Sequence, residues 1–316
     1  MFMPAPVRRS VAGLVGFLAA AAVGSAADVS DVPWPDTDEQ PAVRAIADLF
    51  EEAEVLRGRD GALRAIALRG GRQRAKASLT MSFDPQTGRV TSIKGNSAGV
   101  KNDDFALFVP LKDLRLLSLH HNSCDCPAEV MSEVCDGAGL LKLKGNAALE
   151  EVMMPGGPFD QDGLAAIAQL PQLKRLGAWH VRVKGEDFAV LRNHPGLESV
   201  RLGQTWDPTF ANTALEHLST CPNFKRASIG AGYLTWEDGL RHLVQRKGTF
   251  EVLDMKNCVV APEDLERLKK EMPDVEVNHD GMAAVGKLIA GRGLKKLSGV
   301  VPQELLDRYV AAAAAE

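Results

Sequence analysis

Apolar residues recur along this chain on a ruler of about 24 positions, and a repeat of that length constrains the architecture more than any local propensity does. The phrase L-x-x-L-x-L is met at Leu114/Leu117/Leu119, Leu149/Val152/Met154, Leu173/Leu176/Ala178, Leu197/Val200/Leu202, Phe224/Ala227/Ile229 and Phe250/Leu253/Met255. Looser copies start at Leu63 (with Ile66 and Leu68), Val90 (with Ile93 and Gly95) and Met272 (with Val275 and Val277). From Leu149 onward the intervals are 24, 24, 27, 26 and 22 residues.

A second apolar phrase follows 15 and 18 positions behind most of these starts, as in Phe105/Phe108, Leu164/Ile167, Phe188/Leu191 and Leu265/Leu268. Spacing of three puts two side chains on one helical face, whereas the alternation within L-x-x-L-x-L is that of a strand with one buried face. Each repeat therefore reads strand, turn, helix. No single unit hides both its strand face and its helix stripe, so copies must stack, with parallel strands on one side and helices on the other. The expected fold class is α/β, a right-handed curved solenoid with strands near 90, 114, 149, 173, 197, 224, 250 and 275 on its concave side. Near Leu149 a rival start exists, LLKLKGN from Leu140, but only the Leu149 frame sets Leu164, Ile167 and Leu170 on the helix stripe.

The run TALEHLSTCPNFKRASI, Thr213 to Ile229, followed by VLDMKNC, Val252 to Cys258, resembles the leucine-rich repeat family, in particular its cysteine-containing, ribonuclease-inhibitor-like subclass. The resemblance covers roughly residues 87 to 279. It implies a helix ending near Cys-Pro and a polar column at the ninth position of the strand phrase. That column holds Asn122, Thr205 and Cys258, but also Gly157, Val181 and Gly232. The family hosts binders of many kinds, so the resemblance implies a scaffold and names no ligand.

Both ends fall outside the ruler. Arg8 and Arg9 precede an apolar run from Val11 to Val23, and Gly24-Ser25-Ala26 supplies the small residues of a signal-peptidase site, so residues 1–27 read as a signal peptide cleaved after Ala26 or Ala27. Export to the periplasm or medium follows; a retained anchor is the alternative. Losing two Arg takes the formal net charge from -4 to -6, which argues against general nucleic-acid binding. Residues 28–39 read as a linker and 40–86 as an N-terminal cap. In that cap Val43/Ile46/Leu49 predict a helix from Gln40 to Leu56, and Leu79/Met81/Phe83 alternate into a turn at Asp84–Gly88 that opens a hairpin. The solenoid occupies 87–279, with a Cys-containing insertion at about 122–140. Residues 280–316 read as a helical C-terminal cap and tail, with Pro302 in a helix's first turn.

The insertion is the largest departure from the ruler, because Leu114 and Leu149 stand 35 residues apart, about 11 more than one repeat. It holds His120, His121, Cys124, Cys126 and Cys135, and three of the chain's five Cys. In an oxidising compartment the expectation is one disulfide, Cys135 with Cys124 or Cys126, leaving one thiol over, and the alternative is a solvent-exposed, fully reduced set. Thiolate and imidazole also suit zinc or copper, but a lone CxC lacks the doubled spacing of structural zinc sites, so no metal is assigned. The absence of CxxCH gives no sign of covalent haem, and no cofactor is assigned. Cys221 and Cys258 read as small buried residues of the repeat.

One catalytic pattern occurs, Gly95-Asn96-Ser97-Ala98-Gly99, which matches G-x-S-x-G between a strand and a helix. A nucleophile elbow needs its helix directly behind the Ser, and here the helix is expected only near Asn102 or Asp103. A serine hydrolase acting through Ser97 is thus the third reading, behind a thiol- or metal-bearing loop.

The first is a non-enzymatic binding scaffold. Strand alternation turns the residues between the buried positions to the concave side. These include Glu151, Arg175, Trp179, Arg201 and Arg226, with the three Arg on successive strands at what read as matching positions. Arg and Trp concentrate binding energy where they meet, and this set suits an extracellular protein, an acidic peptide or an anionic glycan.

Overall fold

The structure, a computed structural model, describes residues 27–71, 74–122, 135–203, 207–292, 297 and 299–315. The expected signal segment before Ala27, Cys124, Cys126 and Thr205 lie outside the described residues.

A twelve-stranded sheet runs the length of the described chain. It opens with β1 (Ala27–Asp28), continues after α1 (Gln40–Ala47) with β2 (Phe50–Arg57), β3 (Leu63–Gly71) and β4 (Arg74–Phe83), and reaches β5 (Val90–Asn96). These five strands pair antiparallel, each with the next. From β5 onward the pairing turns parallel through β6 (Leu116–His120), β7 (Glu151–Met153), β8 (Arg175–Trp179), β9 (Ser199–Gly203) and β10 (Arg226–Gly230). A two-residue strand β11 (Tyr233–Leu234) leaves the sheet to pair with β13 (Val259–Val260), while β12 (Val252–Lys256) and β14 (Glu276–His279) complete it. All eight parallel strands of the main sheet stand where the ruler puts them. LLKLKGN from Leu140 falls in a 3-10 turn, Ala138–Leu143, and the Leu149 frame carries β7.

One expectation before the solenoid fails. The helix over Gln40–Leu56 stops at Ala47, and Phe50–Arg57 is a strand instead. Glu51, Glu52 and Glu54 favour a helix by propensity, but pairing with β3 and burial of Phe50 and Ala53 override that preference. The loose copy at Leu63 lies in the cap, before the solenoid. Ile66 and Leu68 are buried as alternation requires, yet β3 belongs to the antiparallel meander between β2 and β4.

Register stacks one residue from each of six successive strands into a continuous column, Leu117, Val152, Leu176, Val200, Ala227 and Leu253, none more than 2% exposed. The convex layer that covers it alternates between 3-10 turns and α-helices: Asp103–Phe108 and Ala138–Leu143, then α2 (Gln161–Ile167), then Gly185–Leu191, then α3 (Phe210–Leu218), then Leu240–Arg246, then α4 (Pro262–Glu271). Apolar spacing of three suits both forms, since residues three apart eclipse in a 3-10 helix and share a face in an α-helix. The sequence phrase therefore located these turns without fixing their type.

Behind seven of the eight parallel strands of the main sheet one described residue adopts a left-handed backbone: Ser97, His121, Gly156, His180, Ala231, Asn257 and Gly281. The turn carries the hydrogen-bond ladder one step beyond the strands, as Ser97 N–H donates to His120, His121 to Pro155, Gly156 to Trp179, His180 to Gly203 and Ala231 to Lys256. Asn257 N–H is met instead by the Asp280 carboxylate at 2.8 Å. A second set of contacts stitches the coils just before the strands: Asn146 donates to Leu111 O, His194 Nε2 bonds Leu170 O and Cys221 Sγ donates to Leu191 O.

At the C-terminal end α5 (Met282–Arg292) and α6 (Gln303–Ala314) pack together over a separate apolar cluster that includes Val259, Val285, Leu305, Leu306 and Tyr309. The Tyr309 hydroxyl closes it on the main sequence of coils, accepting from Val260 N–H at 3.0 Å and donating to Val260 O at 2.8 Å.

Candidate functional site

The concave face is ordered in rows by strand register. Nearest the strand N-termini run Leu116, Glu151, Arg175, Ser199, Arg226, Val252 and Glu276; next come Lys94, Ser118, Met153, Gly177, Arg201, Ser228, Asp254 and Asn278. A third row near the strand C-termini holds Asn96 and His120, then Trp179, Gly203, Gly230 and Lys256.

This register corrects the expectation of three Arg at matching positions. Arg175 and Arg226 share the first row with Ser199 between them, whereas Arg201 lies two residues further along its strand. The strand period of two makes Ser199 and Arg201 equally outward, but counted from Leu173, Leu197 and Phe224 the two outer Arg stand two positions on and Arg201 four, so the phrase itself carries the offset.

Both cations of the first row are paired. Arg175 Nε sits 2.6 Å from Glu151, Arg226 contacts Glu251 through Nε at 3.0 Å and through a terminal nitrogen at 2.7 Å, and Lys174 meets Glu150 at 2.7 Å. The Lys174 contact and the nearby Arg175 and Arg115 charges hold the Glu150 carboxyl below its usual range, the hydrogen bond contributing most. A hollow of ≈ 290 Å³ between Arg175, Ser199, Lys225, Arg226, Glu198 and Glu251 is thus lined by both signs of charge.

The second and third rows are different. The Arg201 guanidinium lies over the Trp179 ring, 4.5 Å from its centre, and the His120 ring stands nearly perpendicular to the indole at 5.5 Å. Gly177 makes room for this arrangement, since a Cβ there would strike the Met153 sulfur and sit 3.0 Å from Trp179 Cζ3. Burial lowers the His120 pKa first, and the charges of His121, Arg201 and Lys94 lower it further. Trp179, Arg201, Gly203, Ser228, Gly230, Lys256 and Asn257 enclose a pocket of ≈ 180 Å³. Among the described residues, Lys94, Arg201 and Lys256 form no ion pair. Asp254 accepts from Asn278 at 2.8 Å, and Asp280 is held by Asn257 N–H.

Of the residues singled out in the sequence, Trp179 and Arg201 are brought together, while Glu151, Arg175 and Arg226 belong to the paired row. Lys94, His120, Ser228 and Lys256 were not chosen as site residues. Their signal was available in the outward positions of the strand phrases, but which of those positions share a row depends on register.

Cys135 is a buried free thiol, pushed up to about 12 by burial, and Cys221 and Cys258 are likewise free and buried. The residues between Asn122 and Cys135 account for the extra length of that coil; Asn122 itself is buried, accepting from Val100 N–H at 3.0 Å and donating to Val100 O at 2.6 Å. Asp136, Asp160 and Asp162 set ligand atoms within 4.8 Å of one another, a grouping the sequence reading did not single out. Asp136 is used by Asn102 Nδ2 and Ala138 N–H and Asp160 caps α2, so both have structural partners.

Ser97 is 6% exposed, with φ of 49°. Its left-handed backbone recurs in the turns of other coils, at His121, His180, Ala231 and Asn257, and the following helical turn begins only at Asp103. The positive φ that a nucleophile elbow also requires is here a property of the repeat.

No protein-family model matches the sequence, and no curated protein matches it. Among solved structures the chain is similar to internalin C2 of Listeria monocytogenes, at 16% identity over 61% of this chain and 74% of that one, with a TM-score of 0.40. A leucine-rich repeat protein of Leptospira interrogans is similar at 15% identity over 55% of this chain and 45% of that one, TM-score 0.36. Internalin F of Listeria monocytogenes follows at 13% identity over 56% and 65%, TM-score 0.31. Among the described residues no helix is long and apolar enough to cross a membrane. Among the described residues, successive coils each add one parallel strand and a helical return on the same ruler, and the fold is that of a leucine-rich repeat solenoid.

Proposed function

We propose that the protein is a non-enzymatic binding scaffold that takes an anionic extracellular ligand on its concave face. The observation that carries this is the separation of charge along the strands. Lys174, Arg175 and Arg226 near the strand N-termini are matched by Glu150, Glu151 and Glu251, whereas among the described residues Arg201 and Lys256 beside Trp179, and Lys94 three strands away, form no ion pair. Unmatched cations in a concavity raise the local concentration of anions and strengthen their capture. The bound partner is an extracellular protein, peptide or glycan. Export rests on the Arg8-Arg9 start, the Val11–Val23 run and the small residues before Ala27.

Capture of two probes, polyglutamate and heparin, tests this reading. Arg201→Glu combined with Lys256→Glu abolishes capture of any probe that the parent protein binds, and replacing residues 123–134 with a Gly-Ser linker of equal length leaves it intact. The opposite pattern transfers the site to the Cys-containing loop. Labelling of Ser97 by a fluorophosphonate would promote the hydrolase reading.

A further inference from the structure

We infer that the cationic part of the concave face seats an acidic peptide segment in extended form, with one carboxylate lodged in the pocket between Trp179, Arg201, Ser228 and Lys256. This rests on the reading of the concave face as the binding surface and names its ligand class.

The indole decides between peptide and sugar. A sugar ring is usually gripped by the open face of an aromatic side chain, but Trp179 rests against Gly177, carries Arg201 over its face and has His120 perpendicular to it. Its role is to hold the guanidinium, since a cation over an aromatic face within about 6 Å is attracted by the ring. What remains for the ligand is the edge of the guanidinium, a planar fork matched to a carboxylate. Ser228 stands beside it on the next strand in the same row, and Lys256 adds a third donor across the pocket.

The floor suits a main chain. Gly230 has open space where a Cβ would be, its nearest neighbour being Leu202 O at 3.8 Å, so a ligand can approach the backbone there. Spacing points the same way. Lys94 on β5 and Lys256 on β12 are six strand steps apart, roughly 29 Å at about 4.8 Å per step, a distance that an extended peptide of about nine residues spans. Acidic side chains on one side of such a peptide recur about every 7 Å, which lets them meet Lys94, Arg201 and Lys256 in turn. Asp254 and Asp280, already engaged by Asn278 and Asn257, mark the end of the cationic tract.

The test uses fluorescence anisotropy with a labelled peptide of alternating Glu and Ser, about ten residues long, beside a labelled heparin oligosaccharide of similar length. The peptide is expected to bind, with affinity falling at least about tenfold in Arg201→Glu and in Lys256→Glu and by less than about threefold in Arg175→Glu. Unchanged melting temperatures show that exposed substitutions have not unfolded the protein. If only the oligosaccharide binds, with the same dependence on Arg201 and Lys256, the peptide inference fails while the concave-face reading stands. If neither probe binds, both fail. Peptide binding that is lost equally in Arg175→Glu also overturns the inference, because the paired row would then be part of the seat.

Discussion

The guanidinium of Arg201 lies 4.5 Å above the centre of the Trp179 ring, although register sets Trp179 opposite Gly203 and Arg201 opposite Gly177. The contact is diagonal across two neighbouring strands, and it exists because both directly opposed positions are glycine. Two missing side chains let a long cation lie flat over an aromatic ring instead of extending into solvent. The arrangement fixes the orientation of a charge that, among the described residues, forms no ion pair.

Register itself is tested by two neighbouring substitutions. Leu176 is 1% exposed in the common column, so Leu176→Asp buries an unpaired charge and is expected to cost on the order of 3 kcal/mol or more. Lys174→Asp removes an ion pair with Glu150 whose side chains are 40% and 37% exposed, and its expected cost is about 0.5–1 kcal/mol. Urea unfolding of both variants checks the difference; equal midpoints contradict the register.

The pocket floor offers a matched pair of glycines. Gly203 has φ of 149°, and a Cβ there would collide with the Gly230 backbone, whereas Gly230 has room for one. Gly203→Ala is therefore expected to lower stability by about 1–3 kcal/mol, and Gly230→Ala by under about 1 kcal/mol. Calorimetric melting distinguishes them, and comparable losses would place the close approach elsewhere.

Stability is expected to fall as pH drops below the ordinary histidine range. His194 accepts from Gly196 and Leu197 N–H through Nδ1 and bonds Leu170 O through Nε2, so the folded protein holds it neutral. Burial lowers its pKa, and burial with the Arg192 charge does the same for His217. A depressed folded pKa means that the unfolded chain takes up the proton first. The stabilisation is complete above the unfolded pKa of about 6.5 and is lost progressively as pH falls toward the folded value. The prediction is a decline in melting temperature between about pH 7 and about pH 5.5, and a shallower decline in His194→Gln. An identical slope in that variant would remove His194 from the account.

At the C-terminal cluster, Tyr309→Phe removes the hydroxyl that satisfies both polar groups of buried Val260. The expected loss is about 1–3 kcal/mol, because two backbone groups are left without their partner. Hydrogen exchange should show the Val260 amide and the α5–α6 pair opening more readily while β8 to β10 keep their protection. Protection lost evenly along the chain would argue that the cluster is not a separable unit.

Much of the solenoid was legible because stacking coils repeat one burial pattern: Leu176, Val200 and Ala227 occupy the same site in successive strands, and the ruler finds them together. Phe50–Arg57 was not legible as a strand, because its glutamates favour a helix and its partner strand lies outside the repeat. The site was readable only in part. Trp179 and Arg201 stand at outward positions of the phrase, but the neutralisation of Arg175 by Glu151 and of Arg226 by Glu251 depends on which residues face each other across strands. Sequence spacing fixes which side a residue faces, and register decides its neighbours.

The central claim is that the unmatched cations around Trp179, and not the paired first row, capture the anionic ligand. Comparing the dissociation constant for the Glu-Ser peptide in Arg201→Glu and Arg175→Glu, at one fixed ionic strength, tests it most directly, because both changes reverse one exposed charge on neighbouring strands. The account predicts a loss of at least about tenfold for Arg201→Glu and less than about threefold for Arg175→Glu, with parent binding weakening as salt is raised. A larger loss in Arg175→Glu, or equal losses in the two, would contradict it.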